Sequence, residues 1–391
     1  MGIPLLNKLI EEHGGGFNKC ALSDYKKRRI GIDAPAWAYR TYAIAHKKVY
    51  LDPKLDLSVK DPEEKEIQIK ILNEWFKNHI SKFLMIFFRN DVVPMFIFDG
   101  TARPEKEKVR ETRKKGKEEK TKKLEKDRAD LDSKDILLRD EDDIENYRKA
   151  KAAHPHHNYR ALRAFRKILD ALGLPWAVAK HDAEQLCSIL NIEGYTAATW
   201  TTDTDALTFG SSTVLMSREK ELSFEDGIAT PIFNCVHLDN VLKNLKLSFP
   251  EFVDMCILAS CDYNEGIDKI STKRAYQIIK EYGSIDDVPQ SRPGYLSNQE
   301  IRKLEGFGNL PYAAEFRLEN LDHFRCRNIF QFVPSESFTS EGDLNVRPTD
   351  NEELIKLCEK YSITMSFTGL IREKERLSAP ENNDHRYFFI L

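Results

Sequence analysis

Two acidic doublets are the strongest candidates for a reactive centre in this chain. Asp182-Ala183-Glu184 comes first, and Asp203-Thr204-Asp205 begins nineteen residues after Glu184. Between them Leu186, Cys187, Ile189, Leu190 and Ile192 recur at helical spacing, Gly194 stops that helix, and residues 197–201 read as a short buried strand. One pair therefore opens a helix and the other leaves the end of a strand, where open α/β sheets gather their ligands. Taken singly, Asp182 also suits a helix cap, and Asp203 and Asp205 suit a turn. Four acids brought together repel one another unless cations intervene. All-oxygen ligands suit Mg²⁺, with Mn²⁺ as a substitute. Two such ions can clamp the attacking and leaving oxygens of a phosphodiester displacement.

The elements around the doublets repeat that setting. Ile30-Gly31-Ile32-Asp33 reads as a buried strand ending in an acid, and Ala34 to Tyr42 resumes as a helix. Lys47 to Glu66 is polar and reads as a loop or insertion, and Ile67 to Arg89 as one long apolar-periodic helix. Pro94 to Phe98 is a second strand, ending in Asp99-Gly100. Strand and helix in alternation predict a mostly parallel central sheet flanked by helices. Trp176 to Ala179 is the strand that leads to Asp182, and the helix Phe249 to Leu258 runs into Cys261-Asp262-Tyr263, a seventh acid on a loop. Thr213 to Met216 reads as a strand and Glu219 to Ile232 as a hairpin. The helix Lys273 to Ile279 carries Lys273 and Arg274 at its head, where a phosphate can sit. Met1 to Glu12 reads as a helix closed by three glycines, Gln290 to Arg347 as irregular, and Asn351 to Tyr361 as the last clear helix.

Composition narrows the class. A chain of 391 residues with 41 % hydrophobic and 31 % charged residues buries a large core, and no apolar run reaches membrane-spanning length. The amino terminus lacks the basic lead of a signal peptide. Seven cysteines without a C-x-x-C predict reduced thiols, neither a disulfide frame nor a zinc site. Net charge is only −3, yet residues 103–127 hold twelve Lys or Arg against seven acids, and Asp130 to Glu145 is mostly acidic. This run is either a solvated helix laced with ion pairs or, since it begins just after Asp99, a mobile basic arm above the acids.

Together these motifs resemble the flap endonuclease family of structure-specific 5′ nucleases. Met1-Gly2-Ile3, Ile32-Asp33-Ala34, Phe98-Asp99-Gly100, the Asp182/Glu184 doublet, Thr202 to Gly210 and Cys261-Asp262-Tyr263 occur in the family's order over roughly residues 1–285. The resemblance implies that Asp33, Asp99, Asp182, Glu184, Asp203, Asp205 and Asp262 hold two Mg²⁺ ions, one mainly by the first four and the other mainly by the last three. It implies that Lys106 and Arg113, at the base of a charged helical arch, reach the scissile phosphate. Asp203 joins them as a catalytic candidate. Gly2, Tyr39, Lys273 and Arg274 are implied DNA contacts, with Tyr39 stacking on a base beside the cut. The implied organisation is an N-terminal nuclease region (1–102), an arch (103–158) and an internal nuclease region (159–262). A helix–two-turn–helix duplex-binding region (263–350) and a C-terminal helix and tail (351–391) follow.

The expected activity is hydrolysis of DNA at single-strand/double-strand junctions, as a 5′ flap endonuclease or 5′→3′ exonuclease in replication and repair. The alternative is a non-catalytic nucleic-acid-binding scaffold on a nuclease fold. The expected partner is DNA with a 5′ flap or junction, with an RNA flap as a variant, cut by a nuclear monomer. The family's Gly-Ile-Gly turn, whose backbone carbonyls hold a monovalent cation, reads Lys269-Ile270-Ser271 here, without the glycines of so tight a turn. Phe83 stands where the family often has a DNA-contacting arginine. The arch is about ten residues longer than is typical of the family, a count taken from the spacing of Asp99 and Asp182. Asn382 to Phe389 matches the family's sliding-clamp box only poorly.

Overall fold

A computed structural model describes residues 3–13, 17–55, 57, 64–133, 140–155, 159–225, 228–264, 267, 270–288 and 321–377, without the side chains of 217–229 and 336. Gly2, the glycines at 14–16, Lys269, residues 290–320 and the Asn382–Phe389 box lie outside the described residues.

Helix α1 (Leu6–Glu12) is shorter than expected, because Leu5 adopts a left-handed conformation at φ 56° ahead of it. Strand β1 (Phe17–Ala21) follows, then β2 (Arg29–Asp33) and α2 (Ala34–Tyr50). Asp33 caps α2 by accepting from Ala36 N at 3.1 Å, and Pro35 near the helix start has no N–H to lose there. Helix α2 continues eight residues beyond the expected Tyr42 and takes in the first part of the stretch read as a loop. Tyr42, Ala45, His46 and Tyr50 extend its buried stripe. The expected single helix is α3 (Glu64–Trp75) joined to α4 (Ser81–Arg89) by a π-helical turn over Phe76–Ile80. Strand β3 (Val93–Phe98) is buried throughout.

The stretch expected as the arch folds as α5 (Glu107–Ser133) and α6 (Glu141–Ala152). Next come α7 (Tyr159–Ala171), β4 (Trp176–Ala179), α8 (Ala183–Ile192), β5 (Ala198–Trp200) and the single turn α9 (Asp205–Thr208). The hairpin of β6 (Thr213–Glu225) and β7 (Ile228–His237) precedes α10 (Leu238–Leu245), α11 (Phe249–Leu258) and α12 (Thr272–Tyr282). The stretch read as irregular contains α13 (His323–Phe330) and β8 (Thr339–Asp343). After α14 (Asn351–Tyr361), a further helix α15 (Thr368–Leu377) docks through Arg376 on the carbonyl of Phe88 at 2.7 Å.

The strands form one eight-stranded sheet in the order β1-β7-β6-β5-β2-β3-β4-β8. From β6 to β4 every pairing is parallel, and β1–β7, β6–β7 and β4–β8 are antiparallel. The central strands β2 and β3 are buried throughout because helices cover both faces, as parallel sheets require. One apolar layer gathers α2, α3, α4, α7 and α14 around Trp37, Trp75, Phe96 and Phe165. A second gathers α1, α10, α11, α12 and α13, and α8 packs against β3 and β4. Phe83 belongs to the first layer, with ring centres 4.6 Å from Trp37 and 4.8 Å from Trp200, so it is an aromatic core residue. Among the described residues no helix is long and apolar enough to cross a membrane.

The thiol expectation needs correcting. Cys20 on β1 and Cys235 on β7 form a disulfide, with Cα atoms 6.1 Å apart and a sequence separation of 215. Spacing cannot reveal such a pair, because the register of β1 on β7 is what brings the two side chains together.

Candidate active site

The parallel strands deliver acids to one edge of the sheet. Asp33 ends β2, Asp99 follows β3, Asp182 and Glu184 follow β4, and Asp203 and Asp205 follow β5. The exits of β3 and β4 run in contact: Gly100 N donates to His181 O at 2.8 Å and Thr101 N to Lys180 O at 3.0 Å. A Cβ at Gly100 would collide with the Ala179 carbonyl, so only glycine permits this approach. Asp99 is thereby placed to accept from Ala183 N at 2.9 Å, at the head of the helix that carries Glu184.

Asp33, Asp182, Glu184 and Asp205 are buried, Asp203 and Asp262 are half-buried, Asp99 lies at the exposed rim, and the cluster feels its own charge. Asp33 accepts from Thr201 Oγ1 at 2.8 Å. Burial, with Asp99 next, still pushes its carboxyl up to about 7. Glu184 is raised well above the ordinary carboxylate range by burial and by Asp182, Asp33 and Asp99 beside it, against the opposing pull of Lys106. Asp205 is raised likewise by burial, Asp203 and Asp262. Desolvation by the surrounding chain raises Asp99, with Asp182 adding to it. Both carboxylate oxygens of Asp205 are buried and accept no hydrogen bond among the described residues. A buried charge in that condition is costly unless a cation meets it. The donor set is all oxygen, as a hard divalent ion requires. The residues therefore fit the group that the sequence implies.

Basic side chains stand over the acids. Lys106 donates from Nζ to Asp182 Oδ1 at 2.6 Å and Glu184 Oε1 at 3.2 Å. Burial pulls its ammonium down, but Glu184 and Asp182 outweigh that and hold it above its ordinary value. Arg113, on α5, reaches Asp262 Oδ2 at 3.1 Å. The two expected arch cations thus engage different acids, and Lys106 sits in a 3₁₀ turn (Pro104–Lys106) ahead of α5. Asp182 stands at the N-cap position of α8 without capping it. Its carboxylate instead takes Lys106, Arg103 Nε at 2.8 Å and Tyr263 Oη at 3.2 Å.

The remaining candidates lie around this cluster. Tyr39 projects from α2, 45 % exposed. Lys273 pairs with Glu12 at 3.4 Å, and Arg274 follows it in the first turn of α12, where Ser271 caps the helix. Arg103, Tyr263 and Thr201 were not singled out from the sequence. Arg103 stood inside the basic run and Tyr263 inside the Cys-Asp-Tyr motif, but nothing in their spacing pointed to Asp182.

Fold and cluster define a class: an α/β protein with a multi-carboxylate, oxygen-only centre under a basic arch. Comparison with known proteins narrows it. The family model described as the XPG N-terminal domain matches residues 1–121, and that of the XPG I-region matches 173–262. The chain is 28 % identical over 362 residues to flap endonuclease 1 of Xiphophorus maculatus, covering 91 % of this chain and 81 % of that protein. It is 30 % identical over 290 residues to flap endonuclease 1 of Nematostella vectensis, covering 74 % and 69 %. Among solved structures, the catalytic core of Rad2 in complex with DNA substrate aligns with TM-score 0.56 at 15 % identity, over 96 % of this chain and 99 % of that one. Flap endonuclease-1 from Methanococcus jannaschii aligns with TM-score 0.54 at 19 % identity, over 96 % and 98 %. The chain belongs to the flap endonuclease family.

Proposed function

We propose that this protein is a structure-specific 5′ flap endonuclease, a hydrolase of DNA phosphodiesters at single-strand/double-strand junctions. The observation that carries the reading is the convergence of seven acids at one sheet edge with Lys106 and Arg113 already upon them. The family is divalent-metal dependent, and we assign two Mg²⁺ ions, with Mn²⁺ as substitute. Asp33, Asp99, Asp182 and Glu184 would hold one, and Asp203, Asp205 and Asp262 the other. When bound, the ions supply Lewis-acid activation of water and neutralise charge on the phosphate. Lys106 and Arg113 then turn from the acids to the phosphate oxygens and stabilise the charge that develops there. Tyr39 orients the nucleotide beside the cut by stacking, and Gly2, Lys273 and Arg274 contact the backbone, positioning the duplex without reading sequence.

Action on RNA flaps, a monomeric state, a nuclear site, a sliding-clamp contact through residues 382–389 and a monovalent ion near Ile270 rest on the family resemblance alone. The scaffold alternative has no observation in its favour.

The test is cleavage of labelled 5′-flap, 3′-flap, nicked, blunt and four-way-junction DNA and an RNA flap, with Mg²⁺ or with EDTA. One dominant cut at the 5′-flap junction, abolished by EDTA, is expected. Tight flap binding without cleavage would overturn the reading in favour of the scaffold.

A further inference from the structure

The basic groups over the acids differ in what else holds them. Lys106 meets Asp182 and Glu184 and lies 4.8 Å from the centre of the Tyr263 ring. Arg113 meets Asp262. The ions of the proposed mechanism would claim those same acids. Arg103 has a seat of its own, with its side chain only 12 % exposed. Its Nε donates to Asp182 Oδ2 at 2.8 Å and its Nη2 to Gln185 Oε1 at 2.6 Å. Its guanidinium carbon lies 5.7 Å from the centre of the Phe338 ring. Gln185 is itself fixed, donating from Nε2 to the carbonyl of Ile329 at 2.8 Å. An amide, a ring and a backbone carbonyl are groups that neither a divalent ion nor a phosphate displaces.

We propose that Arg103 is a positioning residue, a resident counter-charge on the far oxygen of Asp182 that lets Lys106 leave this carboxylate for the phosphate. The proposal rests on the two-ion reading given above. Asp182 offers two oxygens to two basic groups, Lys106 on Oδ1 and Arg103 on Oδ2. When Lys106 gives way to an ion on Asp182, Arg103 would still pair Oδ2, so that this buried carboxylate keeps a basic partner of its own. The charge balance agrees. Among the described residues three basic side chains pair with the cluster of seven carboxylates, and two divalent ions would cancel the remainder before the phosphodiester enters. Without Arg103 the site carries one more negative charge. It attracts divalent ions more strongly and holds Lys106 on Asp182, away from the phosphate. A merely structural loss would act the other way on the ions, by loosening the ligands.

Two measurements on the full chain separate these cases: Mn²⁺ binding without DNA, followed by electron paramagnetic resonance, and single-turnover cleavage of a 5′ flap across substrate concentrations. They are made on wild type, Arg103→Met, Arg103→Lys and Asp205→Asn. Arg103→Met should bind Mn²⁺ at least as tightly as wild type and cleave about 10–100-fold more slowly at saturation, the range seen when supporting groups around metal ligands are removed. Half-saturation in flap should change little, and Arg103→Lys should recover most of the rate. An unchanged rate in Arg103→Met, or a joint fall in its rate and Mn²⁺ affinity, overturns the proposal. Asp205→Asn should lose bound Mn²⁺. If it binds as wild type does, the two-ion reading itself fails. If it loses the ion while Arg103→Met behaves as wild type, only the role of Arg103 falls.

Discussion

The two ends of the arch grip the rest of the protein with the same residue types but on different partners, although at the far end Arg128 and Arg148 also pair with Asp132 and Glu145 within the arch itself. At the base, Lys106 and Arg113 lie on carboxylates. At the far end, Arg148 donates to the backbone carbonyls of Tyr50 at 3.0 Å, Asp52 at 2.7 Å and Leu55 at 2.8 Å, and Arg128 to that of Leu57 at 3.3 Å. Arg148 and Arg128 are both buried. The carbonyl of Tyr50, in the last turn of α2, lies at the negative pole of a helix dipole, and one guanidinium fork meets it together with the carbonyls of Asp52 and Leu55 just beyond. No ion or phosphate competes for them. The carboxylates at the base are ligands in waiting, and their basic partners are exchangeable. The arm expected to be mobile is therefore pinned at its far end to the stretch read as an insertion. Helix α2 joins the two ends, with Asp33 at one terminus and the pin at the other.

Four variants or conditions sharpen or break this contrast. Asp205→Asn, which removes one of the site's buried acids, should cut flap cleavage by roughly 1,000-fold or more, beyond the loss of a single electrostatic donor. Cleavage that persists within tenfold would show that the acids at the base are structural, like the carbonyls at the far end. Lys106→Ala should lower the cleavage rate by about 100-fold while duplex affinity, measured by fluorescence anisotropy, changes little. Equal loss of both would make the arch base a binding element.

Arg148→Ala should leave the chemistry intact and loosen the arch. Losing its charge-assisted bonds costs about 2 kcal/mol of local opening, or roughly 30-fold faster amide exchange in residues 141–152 and 50–55. Unchanged exchange would mean that the arch is held by its apolar contacts instead.

The smallest effect concerns pH. Burial and Asp99 raise Asp33 to about 7, so the metal-free fold binds this proton more tightly than the unfolded chain does. The stabilisation is complete below the ordinary carboxylate range and is lost as pH rises through about 7. A divalent ion needs the deprotonated acids and acts in the opposite direction. The gap in melting temperature between Mg²⁺-loaded and EDTA-treated protein should therefore widen from about pH 5 to pH 8. A constant gap would remove protons from the competition at this cluster.

Where the acids would stand was legible along the chain. A buried apolar run ending in Asp33 or Asp99, and a helix opening at Asp182, are local patterns, and strand–helix alternation forces the strand ends to one edge. Element boundaries failed where burial is decided by distant partners. Helix α2 continues because His46 and Tyr50 have something to pack against, and β8 exists because β4 offers an edge. Tertiary structure alone decided which basic residue meets which acid. In sequence Arg103 was one of twelve basic residues in its run. Its seat is made by Gln185, Phe338 and Asp182. The anchoring of Arg148 and the pairing of Cys20 with Cys235 arose in the same way. Side-chain chemistry is written along the chain, but the desolvated contacts that direct it form between segments tens to hundreds of residues apart, and only folding brings those together.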